Sequence, residues 1–140
     1  MKEGKAEYLQ MLQEPICRMS TSSAIFKGFS ASIVAGIAAI SFSEVSLWVL
    51  GLSFLPVFAF AALDIYYLRL ERKFRYLFEL VRTDKHEIDF SMNLNNAPSE
   101  INRAKAKIWD CIKSPGIYLF YPWMLLILIV VFTLKCVHII

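Results

Sequence analysis

The sequence predicts an all-α integral membrane protein with three transmembrane helices: a transmembrane hairpin, a cytoplasmic helical segment with a loop, and a C-terminal transmembrane helix. Three observations predict it. The 140 residues are 57% apolar and only 19% charged, more apolar surface than a soluble domain of this size can hide in its core. The charges are segregated, with many in residues 69–113 and almost none over long stretches elsewhere. The uncharged stretches run for about 20 residues, and at roughly 1.5 Å per residue such a helix matches a hydrocarbon core of about 30 Å.

Residues 1–23 come first. They are mostly polar and include Glu3, Glu7 and Glu14, which does not read as a cleavable signal peptide. Tyr8, Leu9, Leu12 and Ile16 make a modest apolar stripe at helical spacing. Pro15 is expected to kink or restart the helix. The reading is a short helix lying at the membrane surface or against the cytoplasmic loop.

Residues 24–67 form the hairpin. The first apolar run spans residues 24–43, broken only by Lys27, which can snorkel towards the headgroups. Four residues, Ser43 to Ser46, separate it from the second run, Leu47 to Tyr67, in which Asp64 is the one charge. So short a link forces an antiparallel pair. Pro56 is expected to kink the second span.

Residues 68–116 form the cytoplasmic segment. LRLERKFRYLFELVR, residues 68–82, holds strong helix formers and no Gly or Pro. Asp84, Asp89, Asn93, Asn95, Asn96 and Pro98 then signal a loop. An amphipathic helix is expected over about residues 99–113, with Ile101, Ala104, Ile108 and Ile112 on one face. Residues 117–140 contain the last and most hydrophobic run. Tyr118, Tyr121 and Trp123 stand at its entrance as interface anchors, and Pro122 falls in its first turns.

Orientation follows from basic residues. Arg69, Arg72, Lys73, Arg75, Arg82, Lys85, Arg103, Lys105, Lys107 and Lys113 lie between the second and third spans, the hairpin turn has none, and the C-terminal end has only Lys135. The positive-inside rule puts the N-terminus and residues 68–116 in the cytoplasm and the C-terminus outside.

Three features are candidates for function. Gly28, Ser32 and Gly36 repeat every four residues, as do Ala31, Ala35 and Ala39. Small residues let helices approach closely in lipid, either within one subunit against the second span or between subunits. Phe60, Leu63, Tyr67, Leu70, Phe74, Leu77 and Val81 follow spacings of 3 and 4 in strict alternation, a seam that wants a helical partner along its length. The partner is either the helix at 99–113 or the same helix in a neighbouring copy. Asp64, a carboxylate near membrane depth, needs a partner, with Lys27 or Arg69 in reach. It is either a structural ion pair or part of a charged ring in an assembled pore.

Other chemistry is not encoded in recognisable form. His86, Glu87 and Asp89 share a loop without a second cluster to complete a metal shell. Cys17, Cys111 and Cys136 have neither metal-ligand spacing nor a disulfide framework. There is no phosphate loop and no nucleophile elbow. No cofactor is expected, and the modest net charge of +3 does not point to nucleic acid.

The stretch Leu63-Asp64-Ile65-Tyr66-Tyr67-Leu68-Arg69-Leu70-Glu71-Arg72-Lys73-Phe74-Arg75, together with the order of elements over residues 5–82, resembles the small two-transmembrane effectors of bacterial antiphage operons, including the SLATT-type group. The third span is additional to that plan. The resemblance implies a non-enzymatic effector that forms a homo-oligomer in the bacterial inner membrane and alters its permeability. The trigger would be a soluble partner protein or small ligand at the cytoplasmic segment. Two alternatives stand beside it: a membrane anchor or accessory subunit that recruits a soluble partner through its basic segment, and a membrane-embedded enzyme whose site forms on oligomerisation.

Overall fold

A computed structural model describes residues 2–44, 46–94 and 107–137. Six helices follow one another: α1 (Lys2–Ile40), α2 (Leu47–Leu52), α3 (Phe54–Arg82), α4 (Ile108–Ile112), α5 (Pro115–Tyr118) and α6 (Phe120–Cys136), and the described residues contain no strand. Three helical stretches, Gly4–Ile40, Leu47–Arg82 and Pro115–Cys136, are long and apolar enough to cross a membrane. The chain divides into two units, a polar one of residues 1–23 and 65–112 and an apolar one of residues 24–64 and 113–140. α1 and α3 each contribute to both.

The prolines set the helix breaks. A proline lacks the N–H that would bond the carbonyl four residues back, and its ring crowds that carbonyl. The break expected at Pro56 lies at Ser53, and a second lies at Leu119, three residues before Pro122. Each proline therefore sits in the first turn of the following helix, where no N–H is missed. The orphaned turn at Ser53 is closed locally: its N–H reaches the carbonyls of Val49 and Leu50, both at 3.2 Å, and its hydroxyl donates to the Leu50 carbonyl. Pro15 behaves differently from expectation. α1 continues through it as one helix of 39 residues. The carbonyl it leaves without a helical partner belongs to Met11, on the exposed face.

In the apolar unit the buried residues are Ser30 and Val34 of α1, Ser41 just after it, Leu50 of α2, Val57 and Asp64 of α3, and Ile117, Tyr121 and Leu128 of α5 and α6, with Ser53 between α2 and α3. Outward lie Phe29, Phe42, Trp48, Leu52, Leu55, Phe58, Trp123 and Ile129, all more than half exposed. Only 11%, 22% and 17% of the most apolar stretch of each long helix is buried. A monomer in water does not carry such an apolar surface, and lipid is the solvent that suits it.

The polar unit is a helical hairpin with a strap. Tyr8, Leu12 and Ile16 of α1 form one buried cluster with Phe74, Leu77, Leu80 and Val81 of α3. Its ends show an antiparallel arrangement, since Lys5 pairs with Asp84 at 2.6 Å while Ile16 and Arg75 line one cleft. The N-terminal stripe packs on the 74–81 part of α3, which lies in the segment that is one of the two places expected for it. Among the described residues, the seam residues Phe74, Leu77 and Val81 pack with that stripe. Residues 99–106 of the helix expected at 99–113 lie outside the described residues. Its described remainder, α4, leaves Ile108 51% exposed.

Candidate functional site

The three long helices of the apolar unit bring one polar residue each to a common point. On α1, Lys27, Ser30 and Val34 recur at helical spacing, with Ser41 just beyond its end, so the buried face of the helix starts with a cation. On α3, Val57 and Asp64 lie seven residues apart on the buried face. On α5 and α6, Ile117, Tyr121 and Leu128 do the same. Lys27 Nζ donates to Asp64 Oδ2 at 2.6 Å, and the Tyr121 hydroxyl lies 3.1 Å from the same oxygen and 3.3 Å from the Phe60 carbonyl. The Asp64 side chain is fully buried while that of Lys27 keeps 23% exposure. A carboxylate carried so deep is stable only when a charge and a hydroxyl reach it.

Of the three expected interface anchors, Tyr121 is 4% exposed and points its hydroxyl into the cluster, whereas Tyr118 and Trp123 are exposed by 65% and 61% and face outward. For Asp64 the structure shows the ion pair with Lys27, one of the two alternatives expected, and the cluster ties α1, α3 and α6 together. The signal for Tyr121 was present in the sequence as its spacing of four from Ile117 and seven from Leu128 on one face. The aromatic-belt pattern of its neighbours outweighed it.

A second clamp holds the other end of the unit. Lys135, in the last turn of α6, donates to the carbonyls of Ser41 at 3.1 Å and Ser43 at 2.8 Å. Those carbonyls stand at and just beyond the C-terminus of α1, where helical partners run out and the dipole favours a cation. Sequence reasoning had counted Lys135 only as a terminal charge.

The small-residue face of α1 points away from both clamps. Gly28, Ser32 and Gly36 are exposed, and nothing lies within 4 Å of where a Cβ would sit on either glycine. The residues of α1 buried in this unit, Ser30 and Val34, lie off the stripe, and among the described residues its two glycines meet no neighbouring side chain. Of the seam residues in this unit, Leu63 is 42% exposed and the Phe60 ring stacks with Phe29 at 6.2 Å.

In the polar unit, the loop after α3 is fixed to α1. The Tyr8 hydroxyl donates to the Ser91 carbonyl at 2.7 Å and stands 3.0 Å from Asp89 Oδ1, which also accepts the Ser91 N–H at 3.0 Å. The Phe90 ring lies 5.5 Å from that of Tyr8. Burial first, and the Asp89 carboxylate second, raise the Tyr8 hydroxyl from 10.0 to about 12. The Ser91 N–H, with help from Tyr8, holds Asp89 below the usual carboxylate range. Asp89 is thus engaged in loop structure, and the described residues contain no group of three metal-ligating side chains. A cleft of about 540 Å³ lies along the same hairpin, lined by Gln13, Ile16, Cys17, Arg75, Phe78 and Glu79.

No family model, curated protein or solved structure matches this chain.

Proposed function

We propose that this chain is a non-enzymatic membrane effector that self-associates in a bacterial inner membrane and alters its permeability. One observation carries the reading: among the described residues the Gly28–Ser32–Gly36 face of α1 is open, while Lys27 and the C-terminal end of the helix are engaged within the chain. In lipid no hydrophobic effect drives helices together, and close backbone approach across small residues is the main attraction left. A second copy presenting the same face is the natural occupant, because a two-fold contact uses one patch twice. Lys and Arg placement sets residues 68–116 and the N-terminus in the cytoplasm and the C-terminus outside, where the polar hairpin would receive the trigger.

Gly36→Leu is the test. At equal expression it should weaken self-association at least about tenfold, or roughly 1.4 kcal/mol, and abolish depolarisation read by a membrane-potential dye. The helical content and the Lys27–Asp64 pair should be untouched. An unchanged oligomer and unchanged depolarisation would sink the proposal.

The cleft on the polar hairpin favours a second reading, an accessory subunit that holds a soluble partner there. In that case Gly36→Leu leaves function intact, while Phe78→Ala releases the partner.

A further inference from the structure

We propose that the short helix α4 is a membrane-interface anchor, with Ile108 and Trp109 entering the headgroup region of a phospholipid leaflet. α4 has two faces. Cys111 is fully buried, and Arg72 fastens the backbone by donating from its guanidinium to the Asp110 carbonyl at 2.9 Å. Away from that side, Trp109 is 73% and Ile108 51% exposed, and the exposed Lys107 and Lys113 flank the helix.

Two observations identify what covers this face. The first is continuity. Only Lys113 and Ser114 separate α4 from Pro115, where the third apolar helix begins. Helical rise over α4 and extended linkage beyond it allow at most about 15 Å along the chain between Trp109 and Pro115. The second is chemistry. An indole has an apolar body and one N–H, which suits the boundary between acyl chains and headgroups. Lysines on both sides complement the phosphates of anionic lipids.

The inference rests on the third helix crossing a bilayer, and the experiment separates the two claims. The chain has three tryptophans, Trp48, Trp109 and Trp123, so two double variants isolate the reporters: W48F/W123F leaves Trp109, and W48F/W109F leaves Trp123. All three replaced side chains are largely exposed, and far-ultraviolet circular dichroism checks that helicity is kept. Each variant is reconstituted in mixed phosphatidylcholine and phosphatidylglycerol vesicles whose acyl chains carry bromine either near the carbonyl end or near the methyl end. Trp109 emission should shift to the blue and be quenched more by the shallow bromines than by the deep ones, independently of the protein-to-lipid ratio. Emission as in water, with quenching by aqueous iodide, overturns the anchor. A blue shift without bromolipid quenching also overturns it, and shows protein covering the face, a second copy if the shift fades on dilution in lipid. Quenching of Trp123 but not Trp109 leaves the spans standing and removes the anchor. Quenching of neither removes both.

Discussion

At the scale of single residues, Asp64 shows how a buried charge is made tolerable. Removing one partner of a buried pair leaves the other uncompensated, which costs about 3–5 kcal/mol, and the partial exposure of Lys27 puts Asp64→Ala near the lower end of that range. Tyr121→Phe removes one hydroxyl and should cost about 1 kcal/mol. Unfolding in detergent micelles checks both. The double variant K27A/D64A should be less destabilised than D64A alone, since the pair is coupled; an additive double variant would refute the pairing. Lys27 and Asp64 were legible in the sequence because a charge in an apolar run is rare and demands an explanation. Tyr121 was less so, because its residue type fits both an interface belt and a core.

Tyr8 makes the second residue-scale prediction. Its hydroxyl titrates higher in the folded chain than the ordinary value of 10.0, near 12. The folded state therefore favours the protonated form. Its contribution to stability is present in full below about pH 10 and is lost as pH climbs through about 12. Hydrogen exchange or helicity of the polar hairpin, followed from pH 9 to pH 12, should show that loss (pH limits set by the ordinary tyrosine range, roughly). Tyr8→Phe should flatten this part of the profile. A wild type and variant with the same alkaline slope would show that Tyr8 is not its source.

At the scale of elements, one helix seam has two kinds of surroundings. Its alternating 3 and 4 spacing runs unbroken from Phe60 to Val81, yet its members meet different fates. Leu77 is 1% exposed in the cluster with α1, and Leu63 is 42% exposed. Leu77→Ala should cost about 2–5 kcal/mol through the cavity it leaves, and it should speed amide exchange on residues 8–16 as well as on α3. Leu63→Ala should stay within about 0.5 kcal/mol, as surface changes do. Equal costs at the two positions would contradict the packing described. The seam was readable from periodicity, but its partner was not, because several apolar faces of suitable length competed for it. The proline breaks were only partly readable. A proline marks a weak point in a helix, and the local hydrogen bonds at Ser53 decide which residue yields.

At the scale of the whole molecule, the proposed topology puts the two ends of the chain on opposite sides of a membrane if all three long apolar helices cross it. The cysteines report this directly. Cys17 and Cys136 are exposed and Cys111 is buried, and burial also raises the Cys111 thiol so that little thiolate is present to react. A membrane-impermeant maleimide added to intact cells should label Cys136 at once and Cys17 only after permeabilisation. Cys111 should remain unlabelled until the protein is unfolded. Labelling of Cys17 and Cys136 from the same side would remove one of the three spans.

The sequence by itself determined the helical class, the three apolar stretches and the polar hairpin's composition. Those properties depend on the period and solvent preference of residues close together in the chain. It also marked Lys27 and Asp64 as charges in need of partners, because isolated charges in lipid have few options. The tertiary structure alone decided that Tyr121 completes their cluster, that Lys135 closes the end of α1, that the N-terminal stripe takes the seam, and that the glycine face is left open. Each of these joins residues distant in sequence, and their choice rests on which of several chemically suitable faces can be packed at the same time.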